Sequence, residues 1–181
     1  MRIIAGAWRG RPLLAPPGRQ TRPTSDRARE GLFSMLASRL GSFEGLEVAD
    51  LFAGTGALGL EALSRGAAHC TFVEKDPAAL AVLRRNVDGF AAGERAELRA
   101  QPAEQSAPPR IPCDLVLIDP PYGTGLARQA LEHVAGGGWL APGAWLSLEV
   151  SGEEIRLPEG LALDADRRFG KARILLLRRA G

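Results

Sequence analysis

An acid, two prolines and an aromatic residue follow one another in Asp119-Pro120-Pro121-Tyr122. The apolar run before them, residues 113–118, predicts a buried strand. The motif therefore falls at the carboxyl end of a central strand, where open α/β sheets bind ligands. Proline lacks an N–H group, which leaves nearby carbonyl oxygens free to accept hydrogen bonds. Together with the carboxylate and the aromatic face, these oxygens suit a planar ring that carries an exocyclic amine, which an ordinary proline turn does not explain.

A glycine-rich turn lies upstream, between a predicted strand at 46–52 and a predicted helix at 57–65. Its glycines have the spacing G-x-G-x-x-G: Gly54, Gly56 and Gly59. Glu74 ends the next predicted strand, 18 residues after Gly56. Glycines let the backbone approach a ligand closely, and an acid at about this distance binds ribose hydroxyls. The combination predicts a site for a cofactor that contains adenosine.

Two residues beside the glycines indicate which kind of adenosine-containing cofactor the site binds. Asp50 directly precedes the turn, and Phe52 completes the pattern F-x-G-x-G. An acid at that point suits a cofactor with a positive amino group and a sulfonium, and it suits a pyrophosphate poorly. The pair of motifs F-x-G-x-G and D-P-P-Y resembles the amino-methyltransferases that use S-adenosylmethionine. Those enzymes modify exocyclic amines of adenine or guanine, or a glutamine amide.

Further segments narrow this resemblance to one family. Residues 1–13 predict a hairpin of two short apolar strands around a Gly/Trp/Arg turn. The other matching segments are residues 22–36, residues 50–67, Val73-Glu74 and Asn86. This arrangement closely resembles the bacterial small-subunit ribosomal RNA guanine-N2-methyltransferases of the RsmD family. The resemblance runs to about residue 122 and continues more loosely to the end of the chain.

The resemblance implies an activity and a set of site residues. The activity is transfer of a methyl group from S-adenosylmethionine to the exocyclic N2 amine of a guanine. The partner is small-subunit ribosomal RNA or its ribosomal assembly particle. The residues expected to act on the base are Asp119, Pro120, Pro121 and Tyr122. The residues expected to bind the cofactor are Asp50, Phe52, Gly54, Gly56, Glu74 and Gln101. Gln101 departs from the family, whose members usually have Asp near the adenine.

Basic residues collect at the two ends of the chain. Residues 1–30 carry a net charge of +5, residues 164–181 carry +4, and residues 31–163 carry −7. A GC-rich genome explains the excess of Arg over Lys, but it does not explain this clustering. Arginine binds phosphates and stacks on bases. The residues predicted to contact RNA are Arg2, Trp8, Arg9, Arg11, Arg22, Arg27 and Arg29. For Trp8, we favour packing of the hairpin against the domain over stacking on RNA.

Length and composition fit a single methyltransferase domain over residues 1–181. Within it, residues 1–23 form the basic hairpin extension and residues 24–40 the leading helix. The sequence shows no apolar signal core and no run of transmembrane length, so we expect a cytoplasmic protein with no membrane partner. Cys70 and Cys113 fall in predicted strands as reduced thiols, and two isolated cysteines make no zinc site. We therefore expect no metal.

Predicted strands and helices alternate along the chain, which indicates a parallel sheet with helices on both faces. The strands are predicted at 46–52, 70–74, 96–99, 113–118 and 144–150, and a closing hairpin at 161–167 and 172–177. The helices are predicted at 24–40, 57–65, 77–91 and 124–135. The expected fold is α/β, a Rossmann-like class I methyltransferase fold. It has a mostly parallel seven-stranded sheet, to which the N-terminal β-hairpin and helix are added.

Four other functions remain open at this point. A DNA adenine-N6 methyltransferase shares the Asp-Pro-Pro-Tyr chemistry, but no large target-recognition domain is visible. A protein-glutamine methyltransferase more usually begins this motif with Asn. An NAD-dependent oxidoreductase would use the three glycines but would leave residues 119–122 unexplained. A ribosome-assembly factor without enzymatic activity would not need two intact ligand motifs.

Overall fold

The computed structural model describes residues 1–17 and 23–181, with side chains from residue 26 onward in the second range. The described helices are α1 (Pro23–Leu40), α2 (Ala57–Ser64), α3 (Pro77–Gly89) and α4 (Leu126–Gly136). The described strands are β1 (Glu47–Leu51), β2 (His69–Val73), β3 (Ala96–Arg99), β4 (Cys113–Ile118), β5 (Leu140–Val150), β6 (Leu161–Phe169) and β7 (Ala172–Arg179). No helix within these ranges is both long enough and apolar enough to cross a membrane.

The strands form one sheet in the order β3-β2-β1-β4-β5-β7-β6. Strands β1 to β5 pair in parallel, whereas β7 runs antiparallel to both β5 and β6. This confirms the predicted mostly parallel sheet with a terminal antiparallel hairpin. The first strand of the chain, β1, lies next to β4. From this pair, β2 and β3 extend the sheet on one side, and β5, β7 and β6 extend it on the other. Ligands bind at such a switch in strand order.

The central strands of the sheet are buried on both faces, as is usual for parallel strands. Alternate residues of β4 point to opposite sides: Leu115 and Leu117 pack in one apolar cluster, and Val116 and Ile118 pack in the other. Helices α1, α2 and α3 contribute to the first cluster and α4 contributes to the second. The predicted helices on both faces are therefore confirmed. Burial of the central strands on both sides holds their carboxyl ends in a fixed arrangement.

Backbone hydrogen bonds continue past the strand ends and bring three of them together. The Asp119 N–H donates to the Leu51 carbonyl at 3.4 Å, which joins the end of β4 to the end of β1. The Ala53 N–H donates to the Val73 carbonyl at 3.0 Å, which joins β1 to β2. The glycine turn, the acid after β2 and the Asp-Pro-Pro-Tyr motif consequently lie along one edge of the sheet.

The N-terminal segment forms a hairpin that is attached to helix α2. Arg2 and Pro12 make an antiparallel bridge. The buried Glu61 carboxylate accepts hydrogen bonds from the Ile4 and Ala5 N–H groups at 2.7 and 3.1 Å. Ser64 also accepts a hydrogen bond from this hairpin. Because Glu61 is fully buried, these bonds fix the position of the segment on the domain rather than leaving it as a loose basic arm.

Candidate active site at the carboxyl ends of the parallel strands

The glycine turn has a backbone shape that other residues rarely adopt. Gly54 and Gly56 have φ angles of 58° and 84°, in the left-handed region that glycine tolerates without strain. A Cβ atom on Gly56 would lie 2.5 Å from Leu83, whereas a Cβ atom on Gly54 would meet nothing within 4 Å. Gly56 is therefore required by packing against α3, and Gly54 presents its backbone to open space where a ligand fits.

Phe52 is half-buried at the start of this turn and has a φ angle of 60°. A bulky residue with positive φ is an outlier, and such strain is found most often at ligand sites. The side chain packs against the apolar cluster on the α4 side of the sheet. The aromatic ring thus anchors the turn, while its predicted contact with the cofactor stays a prediction.

Asp50 lies beneath the turn rather than on its surface, with 1% of the residue exposed. Its Oδ2 atom accepts a hydrogen bond from the Gly59 N–H at 2.9 Å, which ties the end of β1 to the first turn of α2. Burial raises the pKa of Asp50 to about 8, the bond from Gly59 opposes this rise, and the charge of Glu74 adds to it. The geometry shows a structural role for Asp50, and its predicted contact with a cofactor amino group stays a prediction.

Glu74 joins the glycine turn to the start of α3. One carboxylate oxygen accepts a hydrogen bond from the Gly54 N–H, and the other accepts one from the Asp76 N–H, both at 2.9 Å. Asp76 in turn caps α3 by accepting from the Ala79 N–H at 3.0 Å. Sequence analysis predicted Glu74 as the ribose ligand, and the structure places this half-buried carboxylate directly beside Gly54. The two residues follow different strands, β1 and β2, and lie side by side at the predicted cofactor site.

Asn86 has a role that its sequence position did not reveal. It is buried on α3, its Oδ1 atom accepts from the Leu14 N–H at 2.8 Å, and its Nδ2 group donates to the Leu14 and Thr55 carbonyls. Leu14 follows the N-terminal hairpin, and Thr55 lies between the two glycines of the turn. A single amide therefore links the N-terminal segment to the predicted cofactor site.

The Asp-Pro-Pro-Tyr motif lies at the end of β4, where sequence analysis predicted it. Pro120 is buried, whereas Asp119 and Pro121 are exposed. Tyr122 is 49% exposed, which leaves a ring face available for stacking. Its hydroxyl group donates a hydrogen bond of 2.6 Å to the Oε1 atom of Glu149.

Glu149 is a site residue that sequence analysis did not select. It lies near the end of β5, and the pairing of Ile118 with Leu148 puts the next residues, Asp119 and Glu149, beside each other. The signal was present in the sequence as one acid in the otherwise apolar run 144–150. Its meaning depended on knowing which strand lies next to β4.

The two acids influence one another. Desolvation by the surrounding protein raises the pKa of Asp119 well above its usual value, and Glu149 raises it further through its charge and a shared hydrogen bond. Desolvation and the bond to Glu149 also raise the pKa of the Tyr122 hydroxyl.

Gln101 is half-buried and lies two residues after the end of β3, the strand that neighbours β2. This places it along the same edge of the sheet as Glu74, because the Glu74 N–H donates to the carbonyl of Arg99 at 3.0 Å. Its predicted contact with an adenine stays a prediction.

Some of the residues predicted to contact RNA have exposed side chains, and others bind or pack against the protein itself. Arg9 and Arg27 are exposed, as is Arg2, whose guanidinium donates to the Gly10 carbonyl at 2.6 Å. Arg11 is exposed but lies over the Phe90 ring, 4.5 Å from its centroid. Arg22 lies outside the described residues. The side chains with surface free for a phosphate are thus a subset of those predicted.

Two of the residues predicted to contact RNA pack against other parts of the protein. Arg29 is 5% exposed, and its guanidinium binds the Arg2 carbonyl and lies 4.0 Å from Glu61. The prediction that Arg29 grips RNA is therefore wrong for this structure, because the side chain is enclosed between α1, the hairpin and α2. Trp8 packs against Phe90 with ring centroids 4.9 Å apart, as expected if it holds the hairpin against the domain.

Two open cavities lie away from the strand-end site. One, of about 540 Å³, runs between residues 160–162 and 178–181, at the amino end of β5. The other, of about 260 Å³, is lined by the hairpin and α1, with Arg2, Arg9, Asp26 and Glu30 among its residues. Within the part of the chain that the structure describes, no three His, Cys, Asp or Glu side chains cluster as a metal site would require.

The strand order, the strained glycine turn and the acid after β2 define a class I methyltransferase fold. A solved structure described as a putative methyltransferase from Escherichia coli superposes with a TM-score of 0.86 and 34% identity. That comparison covers 100% of this chain and 98% of the other. A putative methylase from Haemophilus influenzae superposes with a TM-score of 0.82 at 33% identity, over 99% of this chain and 98% of that one.

The sequence profile of a family described as conserved hypothetical protein 95 matches residues 1–178, and the chain belongs to this family, the RsmD family. A relative from Escherichia coli named ribosomal RNA small subunit methyltransferase D is 40% identical over 82% of this chain and 74% of its own. The Haemophilus influenzae protein of the same name is 37% identical over 94% of this chain and 89% of its own. The resemblance inferred from the motifs is confirmed.

Proposed function

We propose that this protein transfers a methyl group from S-adenosylmethionine to the N2 amine of a guanine in small-subunit ribosomal RNA. The observation that carries the proposal is the hydrogen bond of 3.4 Å between Asp119 and Leu51. It joins the strand that leads into the glycine turn to the strand that ends in Asp-Pro-Pro-Tyr. A cofactor on the turn would consequently lie next to a base held by the motif. The names of the relatives from Escherichia coli and Haemophilus influenzae support ribosomal RNA as the substrate.

The residues around the turn fit the proposed cofactor. Gly54 offers an open backbone face, and Glu74 lies against it with a half-exposed carboxylate. Carboxylates at this position suit ribose hydroxyls, and the nearby Asp50 favours a cation over a pyrophosphate. S-adenosylmethionine, when bound, supplies an electrophilic methyl group on a positively charged sulfur. Gln101 follows the next strand, β3, and is the residue that the proposal assigns to the adenine.

The acceptor half of the site serves an amine that is a poor nucleophile. The lone pair of the guanine N2 atom is delocalised into the ring, so the amine needs alignment more than it needs activation. Asp119 and the carbonyl of Pro120 accept its two N–H groups, which favours a lone pair directed at the methyl donor. Tyr122, half-exposed, stacks on the base, and this contributes roughly 1–3 kcal/mol by comparison with single-strand binders. The new C–N bond would form as the bond between the methyl carbon and the sulfonium sulfur breaks, with S-adenosylhomocysteine as the leaving group, and the proton lost from the amine would pass to the Asp119–Glu149 pair or to water.

The RNA must present its base outside a helix, since an amine within a paired stack cannot reach Asp119. The exposed arginines Arg2, Arg9 and Arg27 bind phosphates beside the flipped base in this proposal. They lie on or near the hairpin that Asn86 ties to the glycine turn. The RNA surface and the cofactor site are thus mechanically connected.

Purified protein, methyl-labelled S-adenosylmethionine and small-subunit RNA from cells that lack the gene test this function. The RNA is supplied both naked and as an assembly particle, and the labelled nucleosides are identified after digestion. We expect N2-methylguanosine with wild-type protein and no label with Asp119→Ala. RNA from cells that carry the gene is the matched control, because its target is already methylated.

Other products of the same assay identify the rival functions. Label on the N6 amine of adenine in DNA, or on a protein glutamine, would replace the proposal with one of those amines. Calorimetry separates the oxidoreductase alternative, since the proposal requires binding of S-adenosylhomocysteine. Tight binding of NAD without binding of S-adenosylhomocysteine would refute a methyltransferase altogether.

A further inference from the structure

The geometry points to Glu149 as a specificity-determining residue that, together with Asp119, selects guanine over adenine. We infer that the two carboxylates form neighbouring acceptors for the N1–H and N2–H groups of the base. This inference rests on the proposed function and names the group that reads the identity of the base. The Asp-Pro-Pro-Tyr motif alone does not make that distinction, since it suits any exocyclic amine on a planar ring.

The position of Glu149 is set by the sheet and by one side-chain contact. In the parallel register, Ile118 pairs with Leu148, so Asp119 and Glu149 continue from adjacent strand ends. The Tyr122 hydroxyl donates to the Oε1 atom of Glu149 at 2.6 Å, which fixes the direction of this carboxylate. Tyr122 is also the predicted stacking residue. The ring that holds the plane of the base therefore also orients the acid that lies beside its edge.

Guanine and adenine differ at the part of the ring edge that would face Glu149. Guanine presents two donors side by side, the N1–H and the N2 amine. Adenine presents an amine next to N1, which carries a lone pair and accepts. Two adjacent carboxylates satisfy both guanine donors, but one of them would face the adenine lone pair and repel it. Specific sites commonly combine attraction to the correct partner with such a repulsive contact against the wrong one.

The charges that face this pair support the same assignment. Asp50 from β1 and Tyr122 from the loop after β4 face the two acids, and Glu153 follows β5. Desolvation and the charge of Glu149 raise the pKa of Asp119. A base that donates an N–H group to Asp119 favours the ionised form of this acid. Removing the charge of Glu149 lowers the pKa of Asp119, so the rise of kcat/KM with pH should move to lower pH in Glu149→Gln.

The test changes the hydrogen-bonding edge of the substrate base while keeping its 2-amine. The methylated guanine is first mapped, and small-subunit RNA carrying either guanine or 2-aminopurine at that position is prepared by splint ligation. 2-Aminopurine keeps the 2-amine, but it lacks the O6 carbonyl and its N1 atom has a lone pair instead of a hydrogen, so the change in preference between wild type and Glu149→Gln is the decisive comparison. We expect wild-type protein to prefer guanine in kcat/KM by at least about tenfold. In Glu149→Gln the preference should shrink several-fold or reverse, because the glutamine amide can donate to the 2-aminopurine N1.

Matched variants separate charge, orientation and fold. Glu153→Gln removes an exposed acid close to the same loop and should keep both the wild-type preference and the wild-type pH profile. Tyr122→Phe keeps the ring but loses the bond to Glu149, so its preference should lie between those of wild type and Glu149→Gln. Affinity for S-adenosylhomocysteine should be unchanged in Glu149→Gln, which confirms that the variant is folded.

Each failure has a separate meaning. Equal use of guanine and 2-aminopurine by wild-type protein overturns the inference without recourse to any variant. An equal loss on both bases in Glu149→Gln, with the ratio unchanged, also overturns it, because Glu149 would then only support the fold or the rate. Wild-type protein that methylates no guanine at all refutes the proposed function itself.

Discussion

The two pairs of strand ends that form the site are built differently. At the ends of β1 and β2, the groups are already engaged: Glu74 binds the Gly54 N–H, Asp50 binds the Gly59 N–H, and Asn86 binds the Thr55 carbonyl. At the ends of β4 and β5, Asp119 and Tyr122 are exposed, and the hydrogen bond from Tyr122 to Glu149 links the loop to the strand. The first pair is held by protein contacts, and the second pair offers its polar groups to a ligand.

This difference matches what each ligand requires. A cofactor that is the same in every turnover can be met by a backbone prearranged in one shape, which lowers the entropic cost of binding. A base delivered by a large RNA must be selected and aligned at the moment of reaction, so its contacts contribute most in the transition state. The comparison predicts that changes at the β4–β5 pair affect rate, whereas changes at the β1–β2 pair affect cofactor affinity.

The largest effect is expected from Asp119→Ala. The variant loses the principal acceptor for the amine, so methyl transfer to RNA should fall by at least about 100-fold, the usual contribution of a positioned acid–base group. Affinity for S-adenosylhomocysteine, measured by calorimetry, should stay close to that of wild type. An equal loss of affinity and of rate would make Asp119 a cofactor residue and would break the proposed division.

Glu74→Ala should have the opposite signature. Affinity for S-adenosylhomocysteine should fall by roughly 1–3 kcal/mol, because the variant removes the ribose acceptor and leaves the Gly54 and Asp76 N–H groups unpaired. Transfer at saturating cofactor should be less affected than affinity. Glu132→Ala, which removes an exposed acid on α4, is the control. Unchanged cofactor affinity in Glu74→Ala would exclude the predicted role of this residue.

A smaller effect is expected at the RNA surface. Arg9→Ala combined with Arg27→Ala should weaken RNA binding and lower the slope of log affinity against log salt by about one for each lost phosphate contact. Cofactor affinity should not change. The control pairs Arg110→Ala with Arg128→Ala, two exposed arginines elsewhere on the surface. An unchanged RNA affinity and salt slope in the Arg9/Arg27 variant would place the RNA surface elsewhere, with the basic segment 167–179 as the next candidate.

The smallest expected effect is the release of a proton from Asp50 when S-adenosylhomocysteine binds. Burial raises its pKa to about 8, so the free protein holds this carboxyl mostly protonated at pH 7. A cofactor amino group close to Asp50 would favour the ionised form, so binding of S-adenosylhomocysteine should release a fraction of a proton. Calorimetry at pH 7 in two buffers with different ionisation enthalpies measures this release, and Asp50→Asn should abolish it. Identical release by wild type and Asp50→Asn would leave Asp50 with its structural role alone.

The sequence predicted those parts of the site that depend on local pattern. The apolar run 113–118 and the strand–glycine–helix order around Gly54 identified both ligand motifs and the class of fold. Each strand is apolar because it is buried on both faces, and each motif follows its strand directly. Sequence periodicity and turn chemistry are sufficient for features of this kind.

The rest depends on contacts between distant parts of the chain. Glu149 gains its meaning from Tyr122, 27 positions away, and Asn86 gains its meaning from Leu14, 72 positions away. Arg29 was wrongly predicted as an RNA contact because a helix position alone does not show which face is covered. Glu61, which lies within the matching segment 50–67, is buried beside Arg29 and covers that face of α1. A charge count cannot distinguish an arginine that anchors a hairpin from one that contacts RNA.

The most direct measurement maps methylated guanines in small-subunit ribosomal RNA from cells with the gene, without it, and with the Asp119→Ala variant. The account predicts one or more N2-methylguanines that are lost without the gene and restored by wild-type protein. Asp119→Ala should not restore them, even though the purified variant still binds S-adenosylhomocysteine. An unchanged set of N2-methylguanines in cells without the gene would contradict the account, as would full restoration by Asp119→Ala.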